Sequence, residues 1–334
     1  MKLNDHFKKL EGKISLNPTR EAKIDSAYTY WKDEFEKDDV LKDILQDFFQ
    51  QGSYATRTAI KPIRSNGEFD IDAVLLLNLD EEKPKEVLDL IAGKIKNNKT
   101  YKDKVKVKDR CVRIDYAGEF HMDIVPAKKC GLDHISIPCK AEDEWQETNP
   151  EGFTKWFKEQ HSDSNYMLQK VVKLIKYWRD EKVGNDTAPK SILLTTLVAK
   201  NFKWGSSQAE SLVLTLENLS ENLDSILNED NEPYVENPSL PGENLARDWN
   251  KSKYDIFKTK LCKFAKDSRD AIDEDEKEKS IEKWQQILPE FPSNVEESKA
   301  AEDIKSGVLK VNSIGNINTS EGKSIPNHRF YGGV

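Results

Sequence analysis

The sequence predicts an α+β protein, with a mixed sheet in its first half and helices in its second. Three observations predict this. Ile71-Asp72-Ala73-Val74-Leu75-Leu76-Leu77 ends in an apolar run, the pattern of a central strand covered on both faces. Val105–Asp115 and Phe120–Val125 read as strands flanking Tyr116-Ala117-Gly118-Glu119, a hairpin signal. Beyond Pro126 the period becomes helical: Leu168, Val171, Val172, Ile175 and Trp178 fall at i, i+3, i+4, i+7 and i+10.

The remaining elements follow in order. Residues 20–50 read as one long helix, because Ala27, Trp31, Phe35, Leu41, Ile44, Leu45, Phe48 and Phe49 keep approximate helical spacing among charges. Gly52 closes it, as glycine commonly does just past a helix. Pro62 and Ser65-Asn66-Gly67 mark turns, and 85–96 reads as a short helix. Residues 191–203, 208–228, 244–268 and 272–288 read as further helices. No internal repeat is visible. Residues 293–334 are poor in apolar side chains and rich in Ser, Asn, Lys and Glu, the composition of a disordered or loosely docked tail. The expected organisation is a sheet-containing core with its long supporting helix over 1–140, a helical lobe over 141–290, and a flexible tail over 291–334. A length of 334 residues agrees with two domains of ~150 residues each.

The formal net charge of −8 argues against a protein that coats nucleic acid. Its distribution is uneven. Residues 217–248 carry nine acids and one base, Arg247, so the rest of the chain is neutral in sum. Residues 94–113 carry nine bases and two acids, the composition of an exposed edge strand kept soluble by lysines or of a face for a polyanion. The cysteines Cys111, Cys130, Cys139 and Cys262 form no C-x-x-C pair, which disfavours a zinc ribbon or disulfide scaffold and fits free thiols in a reducing cytosol. No apolar run reaches the ~18 residues of a membrane span, and the N-terminal residues show no apolar core of a secretory signal.

One constellation carries chemistry. Gly52-Ser53 is followed by Asp70-Ile71-Asp72 at the entrance to the apolar strand, and by Asp123 inside the second strand of the hairpin. Strand side chains alternate, so Asp70 and Asp72 project from one face, and a neighbouring strand can bring Asp123 to the same place. Cys111, Arg113 and Asp115 lie on the other arm of the hairpin. Clustered carboxylates repel one another unless cations neutralise them. Hard oxygen ligands suit Mg²⁺, and two such ions ~3.5–4 Å apart stabilise the attacking and leaving oxygens of a phosphoryl displacement. Gly52 lets backbone approach a phosphate, and the Ser53 amide and hydroxyl supply donors. The bland reading of Asp123 is an ion-pair partner for a nearby arginine. Residue 74 is valine where an EF-hand needs a ligand, no Walker-type loop occurs, and five scattered histidines give no compelling Ser-His-Asp set.

Gln51-Gly52-Ser53-Tyr54-Ala55-Thr56, Phe69-Asp70-Ile71-Asp72-Ala73-Val74 and Met122-Asp123-Ile124-Val125-Pro126 together resemble the polymerase-β-like nucleotidyltransferases. Within them the chain is similar to the CD-NTases, the cGAS-like bacterial synthases of anti-phage CBASS systems. The resemblance runs in order over about residues 20–290. It implies a polymerase-β-like core with a helical lobe like that of oligoadenylate synthetase, and NTPs bound between the two. It implies Asp70, Asp72 and Asp123 as catalytic metal ligands for two Mg²⁺ ions, with Mn²⁺ as a substitute, and Gly52 and Ser53 as triphosphate ligands.

Two further matches lie in the helical half. Leu174–Arg179 resembles the helix that carries a triphosphate-contacting lysine, here Lys176, and Lys190-Ser191-Ile192 resembles the next helix start, whose serine contacts the same phosphates. Read from the residues alone, Lys170, Lys173 and Lys176 are a basic stripe and Ser191 is a helix cap. The zinc-binding insertion of animal cGAS has no counterpart, so activation by double-stranded DNA through such an insertion is not expected. The ending Phe330-Tyr331-Gly332-Gly333-Val334 is similar to CD-NTase tails conjugated by ubiquitin-ligase-like accessory proteins, although it closes on valine.

The expected activity is therefore condensation of ATP, GTP or both into a cyclic di- or trinucleotide that reaches a downstream effector in the cytoplasm. The rivals are a nucleotidyltransferase making linear oligonucleotides or modifying RNA or protein, and an inactive nucleotide-binding module.

Overall fold

The computed structural model describes residues 1–295 except 63–68, 117–119 and 185, and beyond them three two-residue strands. Residues Met1–Phe291 form one compact unit and Pro292–Val334 a second. In the second, Lys310–Val311 pairs with both Ile317–Asn318 and Lys323–Ser324. Gly332, Gly333 and Val334, and most of the expected tail, lie outside the described residues, as does the Ser65–Gly67 turn.

The first unit opens with α1 (Asn4–Ile14) and α2 (Pro18–Lys37). Asn17 caps α2 by accepting from the Arg20 amide, and Pro18 starts it with a preset φ. The helix expected over 20–50 stops at Lys37. The Asp38 carboxylate accepts from the amides of Val40 and Leu41 and is paired with Lys94, which turns the chain. Leu45–Gln51 is then a strand, β1, and its apolar residues pair across a sheet instead of lining a helix face. A one-turn helix, α3 (Gly52–Ala55), leads on to β2 (Phe69–Leu77) and α4 (Pro84–Lys96).

Next come β3 (Val105–Val107), β4 (Val112–Tyr116) and β5 (Phe120–Cys130). The sheet therefore does not end at Pro126. That residue sits on β5 between the end of pairing with β4 at Ile124 and the start of pairing with β6 at Lys128, where a strand tolerates a missing N–H. β6 (His134–Cys139) and β7 (Glu144–Thr148) extend the sheet by antiparallel pairing. The order is β1-β2-β5-β4-β3, with β2 and β5 parallel and their other neighbours antiparallel, which makes the sheet mixed. β3, within the basic stretch 94–113, is the edge strand. Lys106 pairs with Asp115 and Lys104 lies over the Tyr101 ring.

The helical part comprises α5 (Pro150–Asp163), α6 (Leu168–Lys182), α7 (Ser191–Lys200), α8 (Gln208–Asn222), α9 (Lys251–Ile272) and α10 (Lys277–Ile287). A hairpin of β8 (Glu236–Asn237) and β9 (Leu240–Asn244), followed by a turn, precedes the helix that was expected from 244. Asn250 caps the actual helix at Lys251.

Two apolar cores result. One packs Trp31 and Phe35 of α2 and Leu88 and Ile91 of α4 on the sheet face bearing Ile71, Ala73 and Leu75. The other gathers α6 to α10, and Phe7, Leu10 and Ile14 of α1 belong to it. The opposite sheet face carries the smaller cluster of Val74, Leu76, Ala127 and Ile135. Strand alternation assigns Asp70, Asp72 and Asp123 to that same face.

Candidate active site

Register brings the carboxylates together. Asp72 lies opposite Asp123 in the parallel β2–β5 pair, Arg113 of β4 lies opposite Asp123 on its other side, and Gln51 of β1 lies opposite Asp72. One row thus crosses four strands, with Gly52 at its end. Asp70, two residues before Asp72, is within reach of the same guanidinium.

Arg113 forks onto Asp123. Its Nε donates to Oδ1 and its Nη2 to Oδ2, both at 2.7 Å, and Nη2 also stands 2.9 Å from Asp70 Oδ1. The ion-pair reading of Asp123 is therefore also realised. Bonding to Asp123 holds the Arg113 guanidinium still more firmly protonated than usual. Arg113 relieves Asp72 only at a distance. Burial first, and then the charges of Asp123 and Asp70, push its carboxyl up to about 7. Burial also raises the Asp70 carboxyl, with Arg113 opposing and Asp123 adding to the rise. Cys111 is a free, buried thiol pushed far above the ordinary range by burial and by Asp123, so it is inert as a nucleophile.

Gly52 has φ +68°, and a Cβ there would stand 2.6 Å from Asp72 Oδ2. Only glycine leaves that oxygen uncovered. Behind it the turn is closed by backbone bonds, with the amides of Thr58 and Ala59 donating to the Ser53 carbonyl at 2.8 and 3.1 Å.

Among the described residues no three His, Cys, Asp or Glu side chains stand as a preassembled metal cage. Positive charge between Asp70 and Asp123 comes instead from Arg113. The donor set still fits a hard divalent cation: carboxylate oxygens, one of them raised in pKa by burial and by its carboxylate neighbours and left open by Gly52.

The two helical matches fall in different surroundings, Lys176 buried and Ser191 exposed. Lys176 is buried beneath Thr58. It is 3% exposed, and its Nζ donates to Thr58 Oγ1 at 2.9 Å and to the Thr58 carbonyl at 3.3 Å. Burial pulls its ammonium down to about 7. Ser191 starts α7 and accepts from Arg179 Nη1 at 3.0 Å. A cavity of about 1310 Å³ opens beside the turn, with Tyr54, Arg57, Lys155, Lys158, His161 and Lys173 among its walls. Neither Lys176, Ser191 nor the three aspartates lines it. Lys173 of the basic stripe lines it instead, with Nζ 3.2 Å from Ser15 Oγ.

Comparisons with known proteins bear on the fold and the family likeness. Residues 1–161 match the model of the Second Messenger Oligonucleotide or Dinucleotide Synthetase domain. The chain is 27% identical over 317 residues to a cyclic AMP-AMP-AMP synthase of an Acinetobacter species, covering 93% of this chain and 92% of that one. It is 27% identical over 277 residues to a c-di-GMP synthase of Roseivirga ehrenbergii, covering 74% and 73%. Among solved structures it resembles the Bradyrhizobium diazoefficiens CD-NTase CdnG in complex with GTP, with a TM-score of 0.73, 19% identity and coverage of 87% and 95%. It also resembles Escherichia coli MS115-1 CdnC with ATP, with a TM-score of 0.69, 21% identity and coverage of 86% and 98%.

The fold is that of the polymerase-β-like nucleotidyltransferases, a mixed sheet joined to a helical part. Within that fold, the synthetase domain matched by residues 1–161 and the named relatives make the chain similar to the CD-NTases. No helix among the described residues is long and apolar enough to cross a membrane.

Proposed function

We propose that the protein condenses nucleoside triphosphates, ATP, GTP or both, into a cyclic di- or trinucleotide signal. The observation that carries this is the single row of Asp72, Asp123 and Arg113 across adjacent strands, with Asp70 on the same face and Gly52 at its end. Asp70 and Asp72 would hold two Mg²⁺ ions, or Mn²⁺ in their place, and Asp123 would complete one of the two sites. Bound there, the ions supply Lewis-acid stabilisation of the attacking and leaving oxygens and lower the pKa of the attacking ribose hydroxyl.

The protein's own groups position the reactants. The uncovered backbone at Gly52 and the Ser53 hydroxyl receive the donor triphosphate, and Ser191 meets it from the helical side. The carboxylate row aims the acceptor hydroxyl at the α-phosphorus. A phosphodiester forms, pyrophosphate leaves, and a second round in the same site closes the ring. The named activities of the Acinetobacter and Roseivirga relatives support a cyclic product. Mg²⁺-dependent pyrophosphate release from a mixture of the four NTPs, stopped by EDTA, tests the transfer chemistry. Release that persists in EDTA contradicts it.

The same reading places the protein in the cytoplasm of a bacterial anti-phage system, with its product acting on a downstream effector. Gly332, Gly333 and Val334 are proposed as the site at which a ubiquitin-ligase-like accessory protein conjugates the chain. Deleting these three residues is then expected to leave synthesis intact and to abolish conjugation in cells that carry the accessory protein. Conjugates that survive the deletion on denaturing gels would overturn that role.

A further inference from the structure

Arg113 treats the three aspartates of the row unequally. Its fork takes both oxygens of Asp123, at 2.7 Å each, and the same Nη2 stands 2.9 Å from Asp70 Oδ1. The Cys111 thiol also hydrogen-bonds Asp123. Asp72 feels the guanidinium only at a distance, and its Oδ2 faces Gly52. Asp115, the other carboxylate of β4, is held by Lys106 and His121, which leaves Arg113 to Asp123 and Asp70.

A guanidinium and a hard divalent cation are drawn to the same carboxylate oxygens and repel each other, so they compete for one set of ligands. Three carboxylates against one guanidinium leave two negative charges, which a single divalent ion cancels. Such an ion finds Asp72 open and Asp70 held through one oxygen. A second ion that needs Asp123 meets a carboxylate engaged at both oxygens, with the positive charge still in place. The fork is planar and two-pronged, so it withdraws as a unit. The Arg113 side chain keeps 20% of its surface exposed, which gives it an outward path.

We propose that Arg113 is a positioning residue that guards the metal site completed by Asp123: one divalent ion enters at Asp70 and Asp72 with the guanidinium in place, and a second enters only when the guanidinium lets go of Asp123. The proposal rests on the metal-ligand role proposed above for the three aspartates. It adds that the two ions bind with unequal strength, and that this chain's own arginine sets the difference.

The test titrates Mn²⁺ into the full-length chain without nucleotide and counts bound ions by electron paramagnetic resonance. Ions still bound by the Asp70→Asn, Asp72→Asn double variant are subtracted as surface binding. In Arg113→Gln, which keeps a polar side chain and drops the charge, the Kd of the second ion is expected to fall at least about tenfold, because a unit charge a few ångströms away no longer repels it. An arginine that only held the carboxylates in place would give the opposite sign, so a second Kd that is unchanged or raised in Arg113→Gln overturns the proposal while leaving the metal ligands standing. A second arm uses the wild type alone. The Arg113 Nε–H, bonded to Asp123 at 2.7 Å, is followed by nitrogen-15 resonance, and its exchange with water is expected to speed at least about tenfold once Mg²⁺ fills both sites. Exchange that stays slow with two ions bound overturns the proposal as well. If neither the wild type nor Arg113→Gln binds Mn²⁺ beyond the double variant, the metal reading itself fails and takes the proposal with it.

Discussion

Replacing Asp70 and Asp72 together by asparagine is expected to reduce Mg²⁺-dependent nucleotide condensation by at least about a thousandfold, the effect of losing several kcal/mol of charge stabilisation at the reacting oxygens. The fold should survive. Asparagine keeps the shape of both side chains and removes the buried charge whose desolvation, with repulsion from Asp123 and Asp70, drives the Asp72 carboxyl up to about 7. The sign of the pH effect follows from that rise. A carboxyl that holds its proton more tightly in the folded chain than in the unfolded one favours folding at low pH, and the benefit is lost as pH climbs from the ordinary value of 3.8 through about 7. Above that window the wild type, without metal, carries a penalty on the order of 4 kcal/mol that the double variant lacks. Thermal unfolding in EDTA should therefore show the variant at or above the wild type at pH 8, with the gap closing toward pH 5. Adding Mg²⁺ should stabilise the wild type at pH 8 and leave the variant unmoved. A variant that still makes product, or that responds to Mg²⁺ as the wild type does, contradicts the metal assignment.

Arg113→Ala is the second large effect, and it falls on stability. The guanidinium makes two 2.7 Å bonds to Asp123, which is 8% exposed, and a 2.9 Å contact with Asp70. Removing one partner of a largely buried ion pair leaves an uncompensated carboxylate and costs about 3 kcal/mol. The melting temperature in EDTA should fall by roughly 6 °C. The fall should be smaller at pH 5, where protonation of the raised carboxyl of Asp72 leaves less negative charge to balance. Mg²⁺ should return part of the loss by supplying the missing positive charge. Lysine at this position should recover less than half of it, because a point charge does not reproduce the two-pronged fork. Equal melting temperatures for wild type and Arg113→Ala in EDTA would show that the guanidinium does not carry the carboxylates.

Much of the site was legible in the sequence because strand geometry is rigid. A period of 2 assigns Asp70 and Asp72 to one face, and an aspartate inside an apolar strand is costly enough to mark Asp123. Gly52 was expected to bring backbone close to a phosphate; in the structure its positive φ sets it against Asp72. The misread parts share a different cause. Residues 41–49 carry apolar spacing compatible with a helix, but the turn at Asp38 and pairing with β2 settle the matter, and pairing partners lie far away in sequence. Strands β6 and β7 were missed because Pro126 reads as a terminator, whereas the gap between two pairing partners accommodates it. Lys176 shows the limit of helical periodicity. Spacing groups Lys170, Lys173 and Lys176 on one stripe, yet Lys173 lines the cavity while Lys176 is covered by Thr58. The periodicity names a helix face and is silent about what packs over it.

The most direct test of the central claim is incubation of the purified full-length protein with all four NTPs and Mg²⁺, phosphatase treatment, and mass spectrometry. The predicted result is a phosphatase-resistant cyclic di- or trinucleotide built from ATP, GTP or both, absent when Asp70 and Asp72 are replaced. Products that are entirely linear and lost to phosphatase would contradict the account.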